Sequence, residues 1–157
     1  MQALVVYYSR TGYTKRVAET ISSKLDSDIE RIKDMKDRSG FIGYMRSGWE
    51  AFRKKTPIIK DPKHDPSDYD IVIIGTPVWA QGPSSPVLTY LHRFSDKFKK
   101  TAYFCTLGGS GAEKTMSKME RRAKRPEAIL SLTTKKVKDG DYQHEINRFI
   151  REIKEEI

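Results

Sequence analysis

Short apolar runs alternate with amphipathic segments along the whole chain, and this alternation constrains the fold more than any other feature. The clearest runs are Leu4-Val5-Val6-Tyr7-Tyr8 and Ile71-Val72-Ile73-Ile74, which are typical of strands buried on both faces. Strands that alternate with helices form a parallel sheet with right-handed crossovers, so helices cover both faces. The sequence therefore predicts a single α/β domain spanning residues 1–157.

The alternation predicts five strands and five helices. The predicted strands are 4–8, 29–32, 71–74, 102–105 and 128–132. The predicted helices are 13–25, a poor helix with an aromatic face over 40–55, 87–98, 110–124 and a last helix after residue 141. Ser110 with Glu113 resembles a capping box at the start of the fourth helix, and Asp141 can cap the last one.

Composition excludes several classes of protein. Cys105 is the only cysteine, which rules out an internal disulfide framework, a CxxC redox pair and a thiolate metal cage. No apolar run approaches the roughly 18–20 residues that span a membrane, and the N-terminus lacks a signal-peptide pattern. We therefore expect an intracellular, cytoplasmic protein without a membrane span.

The formal net charge is +9, and it is unevenly distributed. Residues 35–60 carry a net charge of +5, and residues 101–125 carry +4. Such an excess can attract nucleic acid, an anionic membrane or an acidic protein, or it can serve solubility alone. No zinc-finger, RRM or KH signature is present, so the sequence gives no support for nucleic-acid binding.

Open α/β sheets bind ligands beyond the carboxyl ends of their strands, so the loops after the first, third and fourth predicted strands are candidate sites. The first loop is Ser9-Arg10-Thr11-Gly12-Tyr13-Thr14. Its hydroxyls and glycine precede a helix start, where backbone N–H groups and the helix dipole favour an anion such as a phosphate monoester. It is neither a Walker loop nor a GxGxxG fingerprint. A simple capped turn is the alternative interpretation.

The other two loops are suited to a flat ring. The loop over 75–86 contains Trp79, which could stack on such a ring or pack beneath its own loop. The loop over 106–111 is rich in glycine, which lets backbone donors approach a planar heterocycle closely, although it could also be a flexible turn.

Segments 8–14, 75–80 and 107–109 resemble, in this order, the phosphate loop and the two ring-binding loops of the flavodoxin family. The resemblance implies a flavodoxin-like three-layer sandwich with a five-stranded parallel sheet in the order 2-1-3-4-5, and FMN as the cofactor. By position, it assigns Ser9, Thr11, Gly12, Tyr13 and Thr14 to the phosphate, with Arg10 adding charge or only a backbone N–H. It assigns Thr76, Pro77, Val78, Trp79 and Ala80 to the isoalloxazine edge, and Leu107, Gly108 and Gly109 to its pyrimidine side.

The chain departs from the family pattern in three ways. Typical flavodoxins are acidic, whereas this chain is basic, so we expect a basic docking surface and redox partners with acidic ones. Ala80 replaces a glycine whose peptide can flip toward the reduced ring, and a residue with a Cβ pays roughly 1 kcal/mol to adopt positive φ. The resemblance therefore predicts a less stabilised one-electron-reduced flavin than in many flavodoxins. No tyrosine covers the other ring face in the second ring loop.

Two functions follow from the resemblance. The first is a low-potential electron carrier between redox partner proteins, acting as a monomer or weak dimer. The alternative is an FMN-dependent NAD(P)H:quinone reductase or a protoporphyrinogen-oxidase-like dehydrogenase of the same fold. No acid–base set is evident, because the three histidines are scattered and Cys105 lies in a predicted strand, which agrees with a cofactor carrying the chemistry. A binding module without redox activity is the third and least favoured class.

Overall fold

The computed structural model describes residues 1–35 and 57–157, so the predicted helix over 40–55 lies outside the described residues. The strands are β1 (Ala3–Tyr7), β2 (Asp28–Arg31), β3 (Ile71–Trp79), β4 (Gly82–Pro83), β5 (Lys100–Leu107) and β6 (Ile129–Thr133). The helices are α1 (Tyr13–Leu25), α2 (Ser85–Phe94), α3 (Ala112–Arg122), α4 (Thr134–Asp139) and α5 (Gln143–Glu155). Short 3₁₀ turns cover Pro66–Asp68 and Ser95–Lys97.

The main strands form a parallel sheet in the order β2-β1-β3-β5-β6. Val5 in the first strand pairs with Ile29 on one side and with Ile73 on the other, which places β1 between β2 and β3. The two-residue strand β4 is antiparallel to the end of β3 and lies off this path. With β4 set aside, the order confirms the predicted 2-1-3-4-5 topology.

Both faces of the sheet are buried, which explains why its strands are continuous apolar runs rather than alternating ones. Val5, Ile73 and Phe104 belong to a core cluster that includes residues of α1 and α5. Val6 and Ile74 belong to a second cluster that includes residues of α2 and α3. Each such fully buried aliphatic side chain contributes about 1.5–3 kcal/mol. The helices therefore lie on both faces, as in a three-layer sandwich.

Several local predictions were wrong. Strands β3 and β5 extend beyond 71–74 and 102–105 because their parallel pairing continues as far as Pro77 and Thr106. The N-cap of α3 is Gly111 at φ 100, without a side-chain hydrogen bond, so Ser110 does not form the predicted capping box. Tyr142 rather than Asp141 is the N-cap of α5. The helix α4, whose N-cap Thr133 accepts a hydrogen bond from the Lys136 amide, was not predicted.

In the described ranges, no helix is both long enough and apolar enough to cross a membrane.

Candidate functional site

The candidate site lies at the carboxyl ends of β1, β3 and β5. The chain leaves β1 toward β2 on one side of the sheet and leaves β3 toward β5 on the other, so the strand order reverses between β1 and β3. This reversal opens a crevice in which doubly wound proteins bind ligands. The three loops predicted from the sequence therefore meet at the edge where a ligand is expected.

The loop after β1 ends at a helix start that no side chain caps. Gly12 is the N-cap of α1 at φ 96, and its amide donates a hydrogen bond to Ser9 Oγ at 3.1 Å. No side chain caps the first turn of α1, and that turn contains no acidic residue. Its amides and the positive end of the helix dipole are therefore available to an anion.

Glycine is required at residue 12 because of the backbone conformation there and not because of limited space. A Cβ built at Gly12 meets no atom within 4 Å, whereas a φ of +96 is costly for any residue that has a Cβ. Ser9 beside it is buried, and Thr11 is exposed. The local geometry thus leaves an open, hydroxyl-lined cradle in front of α1.

The remaining residues of this loop anchor it to the core. The Thr14 hydroxyl lies 2.8 Å from the Thr106 hydroxyl, and both side chains are buried. The Tyr13 ring packs against the core cluster on the α1 face. Thr14 therefore joins the start of α1 to the end of β5, and its hydroxyl is engaged within the protein. Sequence reasoning missed Thr106, because nothing along the chain relates two residues 92 positions apart.

Trp79 forms an aromatic shelf next to the cradle. It is the last residue of β3 and is half-buried. The guanidinium carbon of Arg10 lies 4.8 Å from the centre of the Trp79 ring, and the Tyr8 ring meets it edge-on at 5.4 Å. Trp79 thus packs on the loop after β1 and also borders the crevice.

A tight hairpin follows Trp79. Ala80 and Gln81 both have positive φ, 46° and 60°, as the two central residues of a type I′ turn require, and Trp79 pairs with Gly82 across it. The cost of positive φ expected at Ala80 is thus already present in this conformation. The expectation that Ala80 must still adopt positive φ when the flavin is reduced was therefore wrong. Pairing of β3 with β4 holds the turn, and with it Ala80, in this conformation.

Thr76 supports this hairpin from beneath. Its side chain is fully buried, its Oγ1 accepts a hydrogen bond from the Ser84 amide at 2.9 Å, and its hydroxyl donates to the Pro77 carbonyl at 2.8 Å. The Thr76 hydroxyl therefore fixes the loop from inside, while Pro77 and Val78 are half-buried at its rim.

The loop after β5 closes the opposite side of the crevice. Leu107 is buried at the end of β5, whereas Gly108 and Gly109 are exposed and have no atoms within 4 Å of a built Cβ. Gly111, at φ 100, would place a Cβ 3.0 Å from both Gln81 Cα and Val78 Cγ1. The hairpin and the third loop are therefore in contact, and only glycine fits at residue 111.

The immediate charge environment is positive. The Arg31 guanidinium donates to the Ser9 carbonyl at 2.9 Å, and Lys114 Nζ donates to Gln81 Oε1 at 2.8 Å. Sequence reasoning missed Arg31, since β2 reaches this loop only in the folded sheet. The cationic surroundings favour an anionic ligand.

None of the three loops contributes a histidine, a cysteine or a carboxylate side chain to the site. His64 Nδ1 is 2.7 Å from the Tyr69 hydroxyl, which donates to Asp28, a residue at the start of β2. Burial and the Asp28 carboxylate raise the pKa of Tyr69 to about 12. Burial raises the pKa of the Cys105 thiol to about 11, so this cysteine is an inert core residue. Over residues 1–35 and 57–157, no group of histidine, cysteine or carboxylate side chains could hold a metal ion.

An uncapped helix start, an aromatic shelf and a glycine-lined slot at the switch point define an α/β protein suited to a ligand that has both a phosphate and a flat ring. The sequence pattern of the family described as Flavodoxin matches residues 2–153. The chain therefore belongs to the flavodoxin family, whose members bind FMN.

Solved structures share this fold. A flavoprotein from Lactobacillus acidophilus NCFM, crystallised in complex with FMN, is 24% identical with a TM-score of 0.66, over 88% of this chain and 97% of that one. Oxidised flavodoxin 2 from Bacillus cereus is 18% identical with a TM-score of 0.59, over 99% of each chain. A WrbA-like protein from Agrobacterium tumefaciens is 21% identical with a TM-score of 0.53, over 77% of this chain and 72% of that one. No curated protein matches the chain.

Proposed function

We propose that this flavodoxin binds FMN in the crevice between the loops after β1, β3 and β5 and carries electrons between redox partner proteins at low potential. The observation that carries the proposal is the uncapped start of α1, where Gly12 lies beside Ser9 and opens next to the Trp79 shelf. A phosphate at this helix start and a flat ring near the shelf would use both features at once.

In this proposal, the loop after β1 binds the phosphate of FMN. The amides of residues 11, 13 and 14 and the hydroxyls of Ser9 and Thr11 are its donors. The Gly12 amide already donates to Ser9 Oγ. The Thr14 hydroxyl is held by Thr106, so Thr14 contributes its backbone amide. The Arg10 guanidinium lies over Trp79, so Arg10 also contributes its amide while its charge lies near the shelf.

The loops after β3 and β5 bind the isoalloxazine ring in this proposal. Backbone groups of residues 76–80 border the isoalloxazine with Trp79 beside its face, and residues 107–109 meet its pyrimidine side. Bound FMN supplies the electron chemistry, and the protein positions it and sets its surroundings. The support for this placement is the contact of Gly111 with Val78 and Gln81, which keeps these two loops close together.

The composition of the loops favours electron transfer over substrate chemistry. Segments 9–14, 76–86 and 107–111 contain no histidine, cysteine, lysine, aspartate or glutamate. An enzyme that moves protons to or from an organic substrate ordinarily positions such a group beside the reacting atoms. An electron carrier needs none, because only electrons must cross to the partner. Partners with acidic docking surfaces, and a monomeric or weakly dimeric state, are part of the same proposal.

One observation favours the alternative, a quinone reductase or protoporphyrinogen-oxidase-like dehydrogenase. Gly108 and Gly109 are exposed with open space above them, so a planar acceptor could approach the ring from this side. A small aromatic substrate that stacks on the flavin would need little more than this opening.

Anaerobic reduction of the FMN-loaded protein separates the two functions. We expect negligible NAD(P)H oxidation with a soluble quinone above the rate given by free FMN, and stepwise one-electron reduction when electrons are supplied singly by photoreduction. Rapid NAD(P)H-dependent quinone reduction, with the flavin passing directly to its two-electron-reduced form, would contradict the carrier assignment.

A further inference from the structure

Four exposed cations lie along one side of α3 and form what we call the α3 cationic stripe. Its members are Lys114, Lys118, Arg121 and Arg122. Lys118, Arg121 and Arg122 follow Lys114 by 4, 7 and 8 positions. At about 100° per residue, this spacing places all four on one side of the helix. The buried side of α3 is a different one, made by Thr115, Met116 and Met119. The two acids of the helix, Glu113 and Glu120, lie on the flank opposite the stripe by the same spacing.

The stripe has no carboxylate partner within the described residues. Several cations elsewhere do have one, such as Arg93, which pairs with Asp61 at 2.6 Å, and Lys97, which pairs with Asp65 at 2.9 Å. Lys114 and Lys118 instead contact neutral oxygens of a single residue, the Gln81 side-chain amide at 2.8 Å and the Gln81 carbonyl at 3.5 Å. The like charges of the stripe therefore repel one another, and an external anionic surface would relieve this repulsion.

The stripe begins at the candidate flavin site. Gln81, which both lysines contact, is a turn residue of the hairpin that follows Trp79. From Lys114 the stripe extends about 10 Å along the helix axis to Arg121 and Arg122. A protein seated on it would lie beside the rim formed by Val78 and Trp79, within reach of a bound ring.

We propose that the α3 cationic stripe is the docking surface for the redox partner, and that the partner presents an acidic protein surface there. This inference rests on the proposed electron-carrier function and assigns the docking surface of that carrier to named residues. An acidic protein fits better than a nucleic acid or a membrane. The charges of the stripe lie next to the half-buried residues Pro77, Val78 and Trp79. Protein interfaces likewise combine an apolar centre with a polar periphery.

The test measures oxidation of the reduced, FMN-loaded protein by two cytochromes of similar size, an acidic b-type and a basic c-type, in a stopped-flow instrument at several salt concentrations. The variant Lys114→Glu/Lys118→Glu reverses the start of the stripe. The control Lys24→Glu/Lys154→Glu makes the same change in net charge at the other end of the molecule. Lys24 is in the last turn of α1, and Lys154 is near Glu156, whose carbonyl accepts from Lys100 at the start of β5.

We expect the acidic cytochrome to react faster at low salt and to lose about tenfold in rate at high salt. The stripe variant should be at least about fivefold slower at low salt, the neutral variant Lys114→Gln/Lys118→Gln intermediate, and the control within twofold of the wild type. Equal losses in the stripe and control variants, or a faster reaction with the basic cytochrome, would overturn the proposal. So would tighter binding to duplex DNA or to anionic phosphatidylserine vesicles than to the acidic cytochrome.

A calorimetric titration of the oxidised protein with the acidic cytochrome distinguishes failure of docking from failure of the carrier function. Binding that is lost only in the stripe variant, without electron transfer, would uphold the docking surface and refute the carrier function. Electron transfer that proceeds equally well in all variants would refute the docking surface alone.

Discussion

The Arg10 guanidinium carbon lies 4.8 Å from the centre of the Trp79 ring, which joins the loop after β1 to the last residue of β3. This contact crosses the reversal point of the sheet, so it links the two walls of the crevice. It also places the charge of Arg10 at the Trp79 shelf.

Replacing Arg10 should weaken binding of FMN and of riboflavin alike. A cation–π contact at an exposed site contributes about 0.5–1 kcal/mol, so we expect Arg10→Ala to raise both dissociation constants about two- to fivefold. Arg10→Lys should fall between the wild type and Arg10→Ala, because the ammonium group stacks less well. Flavin-fluorescence titrations measure both ligands. A loss confined to FMN would show instead that the guanidinium acts on the phosphate.

Gly12→Ala tests the backbone of the cradle. A residue with a Cβ at φ +96 costs about 1–2 kcal/mol, and the open space around Gly12 leaves no steric reason for any loss. We expect the free energy of unfolding to fall by that amount in a urea titration, and FMN affinity to fall at least about fivefold. Gly108→Ala is the matched control for stability, because Gly108 has equally open space without positive φ. Equal effects of the two substitutions on the free energy of unfolding would contradict this explanation.

The sequence was sufficient for the order of the five main strands and of helices α1, α2, α3 and α5, because apolar runs buried on both faces and helical spacing are local signals. It did not predict the short strand β4 or the short helix α4. It was also sufficient to bring segments 9–14, 76–80 and 107–109 to one edge, which follows from the topology. It could not reveal the Thr14–Thr106 bond, which depends on two strand ends meeting in space. Nor could it reveal positive φ at Ala80, because strand pairing overrides the preference of the residue.

The tight turn already holds Ala80 at an unfavourable positive φ, so Ala80→Gly should stabilise the fold. Relief of the left-handed strain, partly offset by the greater chain entropy of glycine, should raise the free energy of unfolding by about 0.5–1 kcal/mol. Ala80→Val should lower it by about 1 kcal/mol or more, because a β-branched residue tolerates this region poorly. Chemical denaturation of both variants checks the sign, and a destabilised glycine variant would show that Ala80 is not strained.

The effect of Ala80 on the reduced flavin stays a prediction from the resemblance, by which the glycine variant accumulates more one-electron-reduced flavin than the wild type in an anaerobic titration. The positive φ that Ala80 already has predicts an equal maximum instead. A higher maximum would mean that reduction takes residue 80 to a second backbone conformation that glycine adopts more readily.

The buried Thr14–Thr106 pair should behave as a coupled unit. Thr14→Val leaves the Thr106 hydroxyl buried without its partner, so we expect a loss of about 1–3 kcal/mol, and the same for Thr106→Val. The double valine variant should lose less than the sum of the two, because it removes both polar groups. Urea denaturation of the four proteins gives the coupling energy, and a value near zero would refute the hydrogen bond.

The central claim is that the uncapped start of α1 holds the phosphate of FMN, and a fluorescence titration of the FMN-free protein with FMN and with riboflavin tests it most directly. The account predicts saturation with FMN at one equivalent and an affinity for riboflavin at least about a hundredfold lower, since riboflavin lacks the phosphate. Equal affinity for the two flavins, or no binding of either, would contradict it.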